Sequence, residues 1–324
     1  MSLTQALHRT LQQRPDAIAT IFRDRRQNYR SFGDRVARLA GALQGLGMGV
    51  GEPVALLSLN SDRYLEYFMA VPWGGGVINP VNTRWSASEV AFSLDDCRTA
   101  ILLVDDQFTD MLPELRQRAK SLGTVIYIGE QETPEGMLSY EDLIASGKPV
   151  PDARRHGNDL AGIFYTGGTT GFPKGVMLSH NNLISVALAL VASGIAKPGC
   201  IGLHAAPMFH LADFALLNAM LTHGSTHVIL PGFEPLTVLK TLQDERISEV
   251  ILVPTMIQML VDHPQAGDFD LSHLQMLLYG ASPISEALLK RAMALLPNAG
   301  LLQAYGMTEL APLATLLLPQ EHHI

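Results

Sequence analysis

Short apolar runs of strand length alternate with amphipathic helical segments along almost the whole chain. In the first half, residues 54–58 and 101–104 have the pattern of strands, and helical patterns follow them at residues 62–73 and 111–122. Strands that are separated by a helix pair in parallel, because the helix returns the chain across the sheet. The sequence therefore predicts an α/β fold with two doubly wound, mostly parallel sheets flanked by helices. The alternation continues at strand-like residues 125–128, 160–164, 202–206, 226–230, 250–253, 276–279 and 301–304, and at helical residues 182–194, 235–246, 255–262 and 285–295.

One polar stretch that contains proline and glycine interrupts this alternation. It is GKPVPDARRHGN, at residues 147–158. Segments of this composition commonly form loops between packed units. We therefore predict a first α/β subdomain over residues 1–150 and a second over residues 151–324. In doubly wound sheets, ligands bind at the carboxyl ends of the strands, so candidate site residues should follow predicted strands.

The overall composition limits the partners and the location of the protein. The chain has 23 basic and 31 acidic residues, a formal net charge of −8, which disfavours a nucleic-acid surface. The two cysteines, Cys97 and Cys200, show no metal-ligand or disulfide spacing. The first 16 residues lack the apolar core of a signal peptide, and the apolar run at residues 183–195 is too short to span a bilayer. We predict a cytoplasmic protein without stable membrane insertion.

The segment TGGTTGFPKG, at residues 166–175, combines three features that suit a phosphate group. Its glycines allow positive φ angles and a close backbone approach to an anion, its threonines supply hydroxyl donors, and its lysine supplies a compact positive charge. A Walker loop is excluded, because Lys174 lies between Pro173 and Gly175 and no Gly-Lys-Ser/Thr sequence is present. The residues predicted to bind phosphate are Thr166, Gly167, Gly168, Thr169, Thr170, Gly171 and Lys174.

Three further segments follow predicted strands: PMFH at 207–210, YGASP at 279–283 and QAYGMTE at 303–309. An imidazole such as that of His210 can orient a carboxylate or stabilise charge on an acyl phosphate. The small residues of YGASP would admit a flat purine against the backbone. Asp213, in the apolar run after PMFH, could lie in a pocket wall or on the surface.

These segments, in this order, resemble the adenylate-forming (AMP-binding) superfamily, which includes acyl-CoA synthetases, luciferases and peptide-synthetase adenylation domains. The resemblance covers nearly the whole chain, and its most specific part is the loop TGGTTGFPKG. Most members have serine where this chain has Gly167, so one hydroxyl donor is missing here. An early segment is also similar to the family's first subdomain, with a turn at residues 74–80 and a helix that starts at Ser86.

The resemblance implies roles for individual residues. Tyr305 would stack on adenine, and Thr308 would contact the α-phosphate or the substrate carboxylate. Glu309, aided by Thr166, would hold Mg²⁺. The catalytic residues would be Lys174, His210, Thr308 and Glu309. The further ATP-binding residues would be Gly280, Ala281, Ser282, Pro283, Gly306 and Met307. The acid-binding residues would be Phe209, His210, Tyr279 and Gly280.

The implied reaction is the ATP-dependent activation of a fatty or aryl acid to an acyl-AMP and then to an acyl-CoA, with coenzyme A as co-substrate. Two alternatives remain open: an adenylation domain that loads a carrier protein, and a non-catalytic nucleotide-binding protein. Family members continue beyond Glu309 with an acidic residue for the ribose, a hinge, and a small C-terminal domain that carries a catalytic lysine. No TGD-like segment follows Glu309, so we expect residues 1–324 alone to adenylate inefficiently. A homodimer is compatible with the sequence.

Overall fold

Fifteen strands and eleven α-helices form the part of the chain that the structure describes. A computed structural model describes residues 1–167 and 171–322. The strands are β1 (Ile18–Phe22), β2 (Arg25–Asn28), β3 (Pro53–Leu57), β4 (Val77–Pro80), β5 (Ile101–Val104), β6 (Thr124–Tyr127), β7 (Leu138–Ser139), β8 (Leu160–Thr166), β9 (Lys174–Ser179), β10 (Ile201–His204), β11 (Thr226–Ile229), β12 (Glu249–Leu252), β13 (Met276–Gly280), β14 (Gly300–Tyr305) and β15 (Thr315–Leu317). The helices are α1 (Gln5–Gln13), α2 (Tyr29–Gly45), α3 (Asp62–Trp73), α4 (Ala87–Asp96), α5 (Leu112–Arg118), α6 (Tyr140–Ser146), α7 (His180–Ala192), α8 (Leu211–Leu221), α9 (Pro235–Asp244), α10 (Pro254–Val261) and α11 (Glu286–Leu295).

The strands form two sheets, one in each of two units. The first unit has a seven-stranded sheet in the order β7-β6-β5-β3-β4-β8-β9, in which only β8 and β9 are antiparallel neighbours. The second has an eight-stranded sheet in the order β15-β14-β13-β12-β10-β11-β1-β2, with antiparallel pairs at its two edges. The predicted α/β class with two mostly parallel sheets is confirmed. The first unit comprises Met1–Asp16 and Tyr29–Ile184, and the second comprises Ala17–Asn28 and Ser185–Ile324.

The chain is divided into its two units at positions that differ from the boundary predicted between residues 150 and 151. The buried strand β8 follows the polar stretch 147–158 but adds to the first sheet, where Gly162 pairs in parallel with Ile78 of β4. The hairpin of β1 and β2, near the start of the chain, adds instead to the second sheet through β11. Strand pairing over long sequence distances, rather than local composition, therefore decides where each unit ends.

The neighbourhood of β4 shows one correction and one confirmation. Residues 77–80, expected within a turn, form a fully buried strand between β3 and β8, because their backbone hydrogen bonds complete the interior of the sheet. Ser86 does start a helix, as predicted. Its side chain accepts a hydrogen bond from the Glu89 N–H, and the Glu89 carboxylate accepts one from the Ser86 N–H at 2.9 Å.

The second sheet brings the ends of several strands to one edge. Strands β10, β12, β13 and β14 run parallel in adjacent positions, so their carboxyl ends lie together. The predicted site residues lie at this edge: residues 207–210 follow β10, and residues 279–283 and 303–309 include the last residues of β13 and β14 and continue beyond them. Among the described residues, no helix has both the length and the apolar character that crossing a bilayer requires.

Candidate active site

The predicted phosphate loop closes the hairpin between β8 and β9. The last residue of β8, Thr166, pairs with the first residue of β9, Lys174, so residues 167–173 form the connection. Gly171 has a φ of 107°, in the left-handed region that glycine adopts at little energetic cost. The antiparallel pairing therefore places a hydroxyl and an ammonium group at the base of this loop. The predicted phosphate-binding residues Gly168, Thr169 and Thr170 lie outside the described residues.

Side chains beside the loop hold its ends against α4. The Tyr165 hydroxyl donates to Asp96 Oδ2 at 2.6 Å, and both burial and this carboxylate raise the pKa of Tyr165, so the phenol stays protonated. The Phe172 ring stacks on Phe92 with 4.8 Å between ring centroids. Lys174 is exposed, so its ammonium group is accessible to an anion.

A cavity of about 270 Å³ lies at the carboxyl edge of the second sheet. Its walls come from the end of β10, the start of α8, the ends of β12 and β13, and the connection from β14 to β15. All of the lining residues belong to the second unit. Most of them are apolar, which is typical of small-molecule sites. The predicted site residues that line the cavity are His210, Tyr279, Gly280, Ala281, Gly306, Met307 and Thr308.

Two of the lining glycines permit close approaches between backbone segments. A Cβ atom at Gly280 would lie far inside van der Waals contact with the carbonyl oxygen of Ala304 on the neighbouring strand. A Cβ atom at Gly306 would collide with the carbonyl oxygen of Pro312, across the loop from β14 to β15. Glycine is therefore required sterically at both positions for this cavity wall to form.

Several predicted site residues do not line this cavity. Phe209 is buried and packs against His210, with 4.2 Å between the ring centroids. Tyr305 is 69% exposed, and Glu309, in the short 3-10 turn that follows β14, is exposed as well. The other predicted residues outside the lining are Ser282 and Pro283, which are exposed, and Thr166, Gly167, Gly171 and Lys174, which belong to the first unit.

The sequence did not predict a buried polar chain beside the cavity. Asp213 Oδ2 lies 2.9 Å from His204 Nδ1, and His204 Nε2 lies 2.9 Å from His227 Nδ1. All three side chains are fully buried, and Asp213 also lines the cavity. Burial, together with the neighbouring His204, lowers the pKa of His227 well below its ordinary value, so His227 stays neutral. In the sequence, these three residues are recognisable as isolated polar positions within apolar strands and an apolar helix, and this pattern could have indicated a buried polar chain.

A second polar contact involves Tyr279, whose side chain packs in the hydrophobic core with Leu277 and Leu301. Its oxygen lies 2.8 Å from His322 Nε2, and burial raises the pKa of Tyr279. The hydroxyl is therefore protonated at neutral pH.

The described residues include no cluster of three or more His, Cys, Asp and Glu side chains that could hold a metal ion alone. A single exposed carboxylate such as that of Glu309 fits Mg²⁺ only when phosphate oxygens and water supply most of the ligands. The chemistry of this donor set is thus compatible with Mg²⁺ that arrives with a nucleotide.

Two curated relatives are similar to almost the whole chain. The 2-succinylbenzoate–CoA ligase of Arabidopsis thaliana is 31% identical over 320 residues, which are 95% of this chain and 57% of the relative. The fatty acid–[acyl-carrier-protein] ligase ScoC of Streptomyces coeruleorubidus is 30% identical over 325 residues, which are 99% of this chain and 61% of the relative. The chain thus spans somewhat more than half the length of these relatives.

A solved structure has the same fold. The inhibitor-bound N-terminal domain of FACL13 from Mycobacterium tuberculosis superposes with a TM-score of 0.90 at 27% identity, covering 99% of this chain and 79% of that one. Residues 7–324 match the family described as AMP-binding enzyme. This match, over nearly the whole chain, shows that the chain belongs to the AMP-binding enzyme family.

Proposed function

We propose that the protein uses MgATP to activate a carboxylic acid as an acyl-AMP and then transfers the acyl group to coenzyme A. One observation carries this proposal. In a chain of the AMP-binding family, a mostly apolar cavity is lined by residues from all three segments at the carboxyl ends of parallel strands, PMFH, YGASP and QAYGMTE. Apolar walls suit the tail of an organic acid, and the polar residues at the strand ends suit its reacting carboxylate.

The first step joins two anions. A carboxylate oxygen of the acid attacks the α-phosphorus of ATP, a new P–O bond forms, and the bond to pyrophosphate breaks. Two unit charges about 4 Å apart repel by about 1 kcal/mol in water and by about 4 kcal/mol at an effective dielectric constant near 20. Lys174, the loop N–H groups and the Mg²⁺ bound with ATP, held by Glu309 and Thr166, would offset this repulsion and stabilise the departing pyrophosphate.

The cavity residues would orient the two substrates. The backbone at Gly280 and Ala281 would accept the flat adenine, with the exposed ring of Tyr305 available to stack on it. Thr308 would donate a hydrogen bond to the α-phosphate or to the carboxylate, and His210 would lie beside that carboxylate. In the second step the thiolate of coenzyme A attacks the acyl carbonyl carbon, and AMP leaves with the electron pair of the broken bond.

A panel of acids tests this proposal on the full-length protein. Short-chain, medium-chain, long-chain and aromatic acids are supplied singly with MgATP, and pyrophosphate release is measured with and without coenzyme A. We expect release that depends on one class of acid and a thioester that forms with free coenzyme A. Acid-independent release would contradict the proposal, and stabilisation by MgATP without any release would support a non-catalytic nucleotide-binding protein.

The same assay separates the remaining enzymatic alternative. Adenylation without transfer to free coenzyme A would favour a protein that loads a carrier, the activity named for the Streptomyces relative. A cytoplasmic location and a homodimer remain predictions.

A further inference from the structure

The buried chain Asp213–His204–His227 has two hydrogen-bond contacts and needs a proton in each of them. His227 is neutral, because burial and the neighbouring His204 lower its pKa well below the ordinary value. His204 links the two ends of this chain, because one ring nitrogen contacts Asp213 and the other contacts His227.

The second oxygen of Asp213 is not satisfied by this chain. Asp213 Oδ1 is buried and has no hydrogen-bond partner among the described residues. A buried carboxylate oxygen without a donor is unfavourable, because it has lost its hydration and gained nothing in exchange. Asp213 is also one of the residues that line the cavity, at the start of α8.

The surroundings of Asp213 in the cavity are apolar and confined. Its neighbours in the lining include Leu211, Ala212 and Ala215, and the facing strands contribute Ile251 and Leu278. The volume of about 270 Å³ lies just below the usual range of about 300–1,000 Å³ for ligand pockets. This volume favours a compact acid, and a second carboxylate on the ligand would be repelled by Asp213.

We propose that Asp213 determines substrate specificity by accepting a hydrogen bond from a hydroxyl or amino group on the tail of a compact carboxylic acid. This inference rests on the proposed function, because it concerns the acid bound in the same cavity. A ligand donor would satisfy Asp213 Oδ1, while the unsubstituted acid of the same shape would leave it unpaired. The main expected effect is weak binding of the unsubstituted acid, because that acid would leave the buried carboxylate oxygen of Asp213 without a hydrogen-bond partner.

Non-hydrolysable acyl-adenylate analogues, the 5′-O-(N-acylsulfamoyl)adenosines, provide the test. The probes are benzoyl, 2-, 3- and 4-hydroxybenzoyl and 4-aminobenzoyl, together with hexanoyl and 6-hydroxyhexanoyl, and calorimetry gives their Kd for the full-length protein. We expect at least one probe with a donor to bind about tenfold or more tightly than its unsubstituted counterpart. Equal or weaker binding of every donor probe overturns the inference but leaves the proposed function standing, whereas no binding by any probe overturns both.

Two variants of Asp213 sharpen the test. Asp213→Asn can turn its amide oxygen to the cavity while its NH₂ group donates to His204 Nδ1, so it should keep part of the preference. Asp213→Leu removes the acceptor and should abolish the preference or reverse it. An undiminished preference in Asp213→Leu overturns the inference.

A matched control is Glu249→Gln, which alters another buried carboxylate of the second unit. Glu249 accepts hydrogen bonds from the N–H groups of Ala196 and Lys197 and does not line the cavity. This variant should keep the wild-type preference. If melting temperatures show that Asp213→Leu is unfolded, the probe pairs with wild-type protein and Asp213→Asn still decide the question.

Discussion

We expect Lys174→Met to lower kcat/KM for ATP by about 100-fold or more in the acid-dependent release of pyrophosphate. The substitution keeps the length of the side chain and removes its charge at the base of the loop between β8 and β9. Removal of one group that stabilises developing charge commonly lowers kcat by about 10²–10³-fold. Lys174→Arg, which keeps the charge, should retain most of the activity, because a point charge at this position does not need fork geometry.

A control variant separates this effect from a general change in surface charge. Lys148 is also exposed and also belongs to the first unit, but it lies outside the loop. Lys148→Met should have wild-type kcat/KM, and all three variants should melt at the wild-type temperature. A Lys174→Met protein that is folded and as active as the wild type would show that this loop does not bind the phosphates of ATP.

The second large effect is expected for Gly306→Ala, with a loss of about 100-fold in kcat/KM. The new methyl group would collide with the carbonyl oxygen of Pro312, and a backbone atom cannot rotate away as a flexible side chain can. The loop from β14 to β15 must therefore shift, and it carries Met307 and Thr308 of the cavity lining. A displacement of about 1 Å at a reacting site can reduce the rate about 100-fold.

Gly232→Ala is the control for this substitution. Gly232 is exposed in the same unit, and no heavy atom lies within 4 Å of the Cβ atom that the substitution would add. Its variant should keep the wild-type rate and stability. If the activity of Gly306→Ala stayed within a few-fold of the wild type, the close approach at this loop would be irrelevant to catalysis.

The parts of the site that follow from local sequence could be predicted. The loop residues are contiguous, and the pairing of Thr166 with Lys174 agrees with a loop between two short strands. The residues around His210, Gly280 and Thr308 are distant in sequence but follow parallel strands. The carboxyl ends of parallel strands meet at one edge, so the topology alone brings these residues together.

Other features depend on packing that local patterns do not contain. The chain Asp213–His204–His227 requires a particular register of β10 against β11 and a particular rotation of α8, and each residue alone is one polar position in an apolar run. The unit boundary depends likewise on the pairing of β8 with β4, across a polar segment that resembles a linker. Both the buried polar chain and the unit boundary therefore depend on contacts between segments that are distant in sequence, which composition does not reveal.

The central claim is that a carboxylate attacks the α-phosphorus of ATP, and an oxygen label tests it most directly. An acid that carries ¹⁸O in its carboxylate is turned over by the full-length protein with MgATP and coenzyme A, and the phosphate-containing products are analysed by mass spectrometry. We predict one ¹⁸O atom in AMP and none in pyrophosphate, because the bridging oxygen of the acyl-AMP remains on phosphorus when the thiol takes the acyl group. Label in orthophosphate, accompanied by ADP, would show attack at the γ-phosphorus and would contradict the account.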